Sequence, residues 1–130
     1  MSEDRVKKGI EIQGGSLGRD MPNMKVFREL SPMYAQSIEE WCWGTIWDQP
    51  VLDIKTRELI VIATSIGQDD VGEVAMHTRG ALNRGASREE IIETIVQCAP
   101  YVGLPKTNHA LLTAKEVFDQ WEERDDWKAV

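Results

Sequence analysis

The sequence predicts an all-α protein, a bundle of six to seven helices. Two observations predict it. Apolar residues recur at helical spacing along most of the chain, and the alternation of a half-buried strand is essentially absent. The same stretches are bracketed by helix-start residues, Asp and Ser, and by helix-stop residues, Gly and Pro. Amphipathic helices without a sheet must bury their stripes against one another.

A first amphipathic helix covers roughly residues 4–13, and Gly14, Gly15 and Gly18 are expected to break it. Pro22 suits a first helical turn, after which Met24, Phe27, Leu30, Tyr34, Ile38 and Trp41 keep helical spacing. This element should reach about Trp47, with Pro32 kinking it or dividing it in two. Asp48-Gln49-Pro50 reads as a turn. Asp53 caps a helix over 54–66, with Gly67 as its terminal glycine. Leu59 to Ala63 are apolar all round, so this helix is expected to be buried on several sides. Asp69 or Asp70 caps the next helix, 71–84, which Gly85 ends. Ser87-Arg88-Glu89-Glu90 is a capping box, and Ile91, Ile92, Ile95, Val96 and Ala99 form that helix's apolar face up to Pro100. Pro105 opens the last helix, which runs to about Glu123.

The 130 residues are expected to form one domain. They hold 15 Lys plus Arg against 22 Asp plus Glu, a net charge of −7. That excess argues against nucleic acid, whose phosphates are bound through cations, and against an anionic membrane surface. With 42% hydrophobic and 28% charged residues the composition is globular. Neither a signal peptide's apolar stretch nor a run approaching the roughly 20 residues of a spanning helix is present. Cys42 and Cys98 lie far apart, there is no CxxC, and only two His occur, so no zinc site of ordinary spacing is available. A soluble cytoplasmic protein with reduced thiols and no metal is expected. Five Trp accompany only two Phe and two Tyr, and three of the Trp fall at 41, 43 and 47.

Three polar residues stand out from the pattern alone. Glu58 shares a stripe with Ile54, Val61 and Ile62 in the most apolar helix. It is either a first-turn Glu complementing the helix dipole, which the pattern favours slightly, or a buried carboxylate with a partner, suited to proton transfer. Glu73 and His77 stand four apart on one helix face. Such a pair can orient an imidazole for acid–base work, although a solvated ion pair is the commoner outcome by roughly two to one. Gly80 and Ala81 follow on the same face and let another helix come close, which favours a crowded His77. His109, Cys42 and Cys98 read as structural. Arg57, Arg79 and Arg84 are the nearest positive charges, more often surface or salt-bridge residues than ligands; an anionic substrate of this acidic chain would need a local cluster of them.

Several stretches resemble a known family. They are Trp43-Gly44-Thr45-Ile46-Trp47, Pro50 with Leu52, and Thr56-Arg57-Glu58-Leu59-Ile60. Gly72-Glu73-Val74-Ala75-Met76-His77-Thr78-Arg79-Gly80-Ala81 follows, then Asn83-Arg84-Gly85-Ala86-Ser87-Arg88-Glu89-Glu90-Ile91. Gln97-Cys98-Ala99-Pro100-Tyr101-Val102-Gly103-Leu104-Pro105 and Asn108 complete the set. In order and spacing these are similar to the carboxymuconolactone decarboxylase family of the alkylhydroperoxidase (AhpD-like) superfamily. The likeness runs from about Trp41 to Phe118, and the lead-in with Lys8-Gly9 and Leu17-Gly18 resembles the decarboxylases themselves.

The resemblance implies an all-α fold, a homo-oligomer (commonly a hexamer built as a trimer of dimers) and a site near subunit contacts. It also implies decarboxylation of a small anionic lactone or related carboxylate without a cofactor, because the substrate carries its own electron sink, or a related lyase or isomerase reaction on a cyclic carboxylate. On it, His77 delivers the proton, Glu73 orients it and Glu58 completes the relay. Arg57 and Arg79 are the carboxylate partners, and Trp43 and Trp47 form an apolar wall unless they are plain core packing. In the peroxidase branch two cysteines precede the His; here those positions hold Asp70 and Glu73, so a peroxidase-type redox protein is the weaker alternative. A non-catalytic oligomeric or ligand-binding member is another. Gln49 and Val51 stand where the decarboxylases carry Arg and Gly, which puts the substrate in question.

Overall fold

The computed structural model describes residues 2–19, 21 and 23–130. Among them are seven α-helices and no strand, so the fold is all-α. The order is α1 (Glu3–Leu17), α2 (Met24–Leu30), α3 (Pro32–Ser37), a π-helical segment (Ile38–Ile46), α4 (Ile54–Gly67), α5 (Val71–Asn83), α6 (Arg88–Val102) and α7 (Leu104–Gln120). Two 3₁₀ turns, Trp121–Glu123 and Asp125–Trp127, follow. No helix among the described residues is long and apolar enough to cross a membrane.

Local signals set α4 to α6. Asp53 Oδ1 accepts the Thr56 amide at 2.7 Å, and Asp70, not Asp69, caps α5 by accepting the Glu73 amide at 3.1 Å. The Ser87–Glu90 box closes in both directions at 3.0 Å. Pro32 divides its element: Ser31 ends α2 and its hydroxyl accepts the Tyr34 amide at 3.2 Å, starting α3. Pro22, expected in a first helical turn, lies outside the described residues.

Four boundaries differ from the sequence reading. Gly14 and Gly15 do not break α1. Arg84, the residue that follows α5, lies over Gly15 and donates to the Ile12 carbonyl at 2.9 Å and to Ser16 Oγ at 3.0 Å, which offsets the low helix propensity there. The stretch after Ser37 is π-helical, with the Trp47 amide on the Cys42 carbonyl at 3.0 Å. Pro100 does not stop α6: it forfeits one bond in the last turn, and the helix ends at Gly103. The final helix stops at Gln120 and continues only as 3₁₀ turns. As expected, α4 is buried on several sides, against α5, α6 and α7, while Ile60 is 47% exposed.

The main core is an apolar seam between α4, α5, α6 and α7, built around Ile62, Ile66, Val74, Ile91, Ile95 and Phe118. A second cluster joins Ile12 and Leu17 of α1 to Trp43 and Trp47. There α1 and the π segment meet at backbone contact, because a Cβ on Gly9 would strike the Glu39 carbonyl and one on Gly44 the Arg5 carbonyl. Arg28 ties α2 to the π segment through both Glu39 oxygens, at 3.1 and 2.7 Å. This second cluster and α5 enclose the space described next.

Candidate active site

His77 sits mid-way along α5 and is 5% exposed. Its Nδ1 lies 2.8 Å from Oε2 of Glu58, whose side chain on α4 is fully buried. Its Nε2 lies 3.4 Å from Oε2 of Glu73, one turn earlier on α5, whose side chain is 44% exposed. The imidazole therefore stands between a closed carboxylate and an open one. Close helix packing makes this possible. A Cβ at position 80 would come within 2.5–2.6 Å of the Glu58 carboxyl atoms, so Gly80 leaves the space they occupy. The dipole reading of Glu58, slightly favoured by sequence pattern, gives way to the buried, partnered one.

Burial alone pushes the His77 pKa down. The hydrogen bonds and charges of Glu58 and Glu73 outweigh it and hold the group up at about 9. A histidine held up in this way favours the protonated form at neutral pH, a form that can donate a proton. Arg84 adds its charge from the α1 side; burial lowers its pKa, and the Glu58 charge opposes that.

Trp43 and Trp47 stack at 4.4 Å between centroids and 30° between planes. Both lie nearly parallel to the imidazole, at 6.2 and 5.8 Å. Together with His77 and Glu73 they line a cavity of about 590 Å³, large enough for a small organic acid. Arg79 lines the same cavity and is 7% exposed. Asp70, Cys42, Phe27 and Tyr34 also face it.

The structure thus brings together six of the seven expected site residues: His77, Glu73 and Glu58 as one hydrogen-bonded set, with Arg79, Trp43 and Trp47 around the cavity. Arg57 is not among them. Instead of meeting the cavity, its guanidinium holds the preceding turn, donating to the carbonyls of Gln49 at 2.8 Å and Leu52 at 3.2 Å. Cys42 packs against the second core cluster and also lines the cavity, and burial raises its thiol pKa. His109 pairs with Asp69 Oδ1 at 2.9 Å on the surface. One participant was not legible in the sequence: the ring of Trp127 lies 4.7 Å from the Arg79 guanidinium carbon.

A model of the carboxymuconolactone decarboxylase family matches residues 32–116, the segment carrying the Trp pair, Glu58, Glu73 and His77. The chain belongs to the carboxymuconolactone decarboxylase family. It is 34% identical over 120 residues to the 4-carboxymuconolactone decarboxylase of Acinetobacter baylyi, covering 89% of this chain and 88% of that one. It is 32% identical over 124 residues to the nitrosuccinic acid decarboxylase of Metarhizium robertsii, covering 93% and 86%. Asp70, the cap of α5, and Glu73 in its first turn both face the cavity.

Proposed function

We propose that the chain is a carboxy-lyase that removes carbon dioxide from a small activated acid, with the electron sink in the substrate and His77 as the proton donor. The observation carrying this reading is the His77 imidazole held between the Glu58 and Glu73 carboxylates at the wall of a cavity that also holds Arg79.

The two decarboxylases named above act on acids of shared chemistry. In each, the carbon that loses CO2 is conjugated to an acceptor, through a C=C bond to a lactone carbonyl in one and directly to a nitro group in the other. When the C–CO2 bond breaks, its electron pair passes into that acceptor, leaving a dienolate or nitronate. A proton from His77 Nε2 then forms the new C–H bond, and the acceptor returns the electron pair. His77 regains its proton through Glu73, the member of the set open to solvent.

The other side chains serve that sequence. Arg79 takes a carboxylate of the substrate, since an acidic chain needs a local cation for an anionic ligand. Trp43 and Trp47 exclude water from the developing anion, which strengthens its attraction to the imidazolium. Glu58 fixes the ring by its Nδ1 and leaves Nε2 as the working nitrogen.

The test is CO2 release from 4-carboxymuconolactone and from nitrosuccinate. Turnover of either by the wild type, lost in a folded His77→Gln variant, is the expected result. No release from either acid, or thiol-dependent peroxide turnover in its place, contradicts the reading.

A further inference from the structure

Arg79 is two residues beyond His77 on α5, and residues so spaced project to different sides of a helix. Both nevertheless line one cavity. A long flexible side chain needs an outside support to stay there. One such support comes from the last stretch of chain, residues 124–130, beyond the segment that matches the family model. The ring of Trp127, 6% exposed, lies under the Arg79 guanidinium.

The tail is held without help from Arg79. Asn83 donates to the Trp127 carbonyl at 2.7 Å and accepts the Ala129 amide at 2.9 Å. The Val130 amide donates to the Gly14 carbonyl at 3.1 Å, and the Arg19 amide to the Asp126 carbonyl at 3.0 Å. Gly18 adopts φ +72, and a Cβ there would meet the Lys128 and Asp126 carbonyls, so only glycine lets the tail cross α1 at this point. Arg124 binds both oxygens of Asp126, at 2.9 and 2.7 Å, and its guanidinium carbon lies 4.1 Å from the centroid of the Trp127 ring. The Trp127 indole N–H is buried and makes no hydrogen bond among the described residues. What the site uses is therefore the ring face, the surface that attracts a guanidinium.

We propose that Trp127 is a positioning residue: held by Asn83 and Gly18, its ring fixes the Arg79 guanidinium at the cavity so that it receives the substrate's carboxylate. The idea rests on the reading of Arg79 as a carboxylate partner. It assigns the tail to substrate binding and not to the proton step.

The experiment compares wild type with Trp127→Leu, Trp127→Phe, Arg79→Ala and the Trp127→Leu/Arg79→Ala double variant. Two readouts are taken: calorimetric titration with succinate, a plain dicarboxylate, and steady-state kinetics on 4-carboxymuconolactone. Trp127→Leu should weaken succinate binding and raise KM about tenfold. Its kcat should stay within about twofold of wild type, because the proton donor is untouched. Trp127→Phe, which keeps an aromatic face, should recover most of the loss. In the Arg79→Ala background Trp127→Leu should add nothing. An unchanged affinity in Trp127→Leu, a full effect in the Arg79→Ala background, or a wild type that does not bind succinate overturns the proposal. Should Trp127→Leu not fold, Asn83→Ser releases the tail while keeping the ring. About threefold weaker binding is then expected, and unchanged binding overturns the proposal. Succinate binding with the predicted variant pattern but without CO2 release would count against the decarboxylase reading alone.

Discussion

Glu58 Oε2 lies 2.8 Å from His77 Nδ1, and both side chains are buried. A buried carboxylate and a buried imidazolium each need the other. Replacing Glu58 by Ala should strand a buried cation and cost about 3–5 kcal/mol of stability, measured by urea unfolding. Glu58→Gln keeps the shape and loses the charge. It should fold, and the His77 pKa, followed by NMR titration of the imidazole, should fall.

The pH dependence follows from the same set. His77 titrates at about 9 in the folded chain against an ordinary value of 6.5. A group raised on folding adds stability that is complete below the unfolded pKa and is lost as pH rises through the folded one. Unfolding free energy should therefore decline between pH 6.5 and 9 more in wild type than in His77→Gln. The rate should also fall on the alkaline side near pH 9 as the proton donor is lost. Glu73→Gln removes one of the supports that raise this pKa, so the alkaline limb should move to lower pH.

Gly80→Ala tests the packing that seats the pair. The new methyl group would meet the carboxyl of a fully buried side chain at 2.5–2.6 Å. The expected cost is about 1–3 kcal/mol. The His77 pKa should drop with it, because the displaced Glu58 no longer holds Nδ1. A variant as stable as wild type with an unshifted imidazole would mean that α4 and α5 can part there freely.

Thiol chemistry is tested separately. Cys42 lines the cavity and Cys98 packs against the α4–α7 core; burial raises the pKa of both thiols. Raised thiol pKa values disfavour a reactive thiolate. A Cys42→Ala/Cys98→Ala variant should keep CO2 release within about threefold of wild type. Loss of turnover in a folded double variant would point to a thiol in the reaction.

Much of this arrangement can be read in the sequence, and what cannot has a physical cause. Helices α4, α5 and α6 carry their own start signals within four residues, so Asp53, Asp70 and Ser87 announce them locally. The passage of α1 over Gly14 and Gly15 depends on Arg84, about 70 residues away, and no local rule contains it. The π segment likewise owes its place to Gly9 and Gly44 meeting its backbone and that of α1. In the site, Glu73 and His77 are legible because one helix face joins them. Glu58 was recognisable as an anomaly, a carboxylate in an apolar helix, but its partner is a tertiary fact. Arg57 had the right charge and the wrong direction, being held by its own turn. Trp127 gave only the signal of a surplus Trp, since nothing in its neighbourhood names Arg79.

The proposed role of His77 is to supply the proton that quenches the anion left when CO2 departs. It is tested most directly by measuring CO2 release by wild type and by a folded His77→Gln variant on the same acid. A loss of about 10²–10⁴-fold in kcat is expected for the variant. A folded His77→Gln enzyme that releases CO2 at the wild-type rate would contradict it.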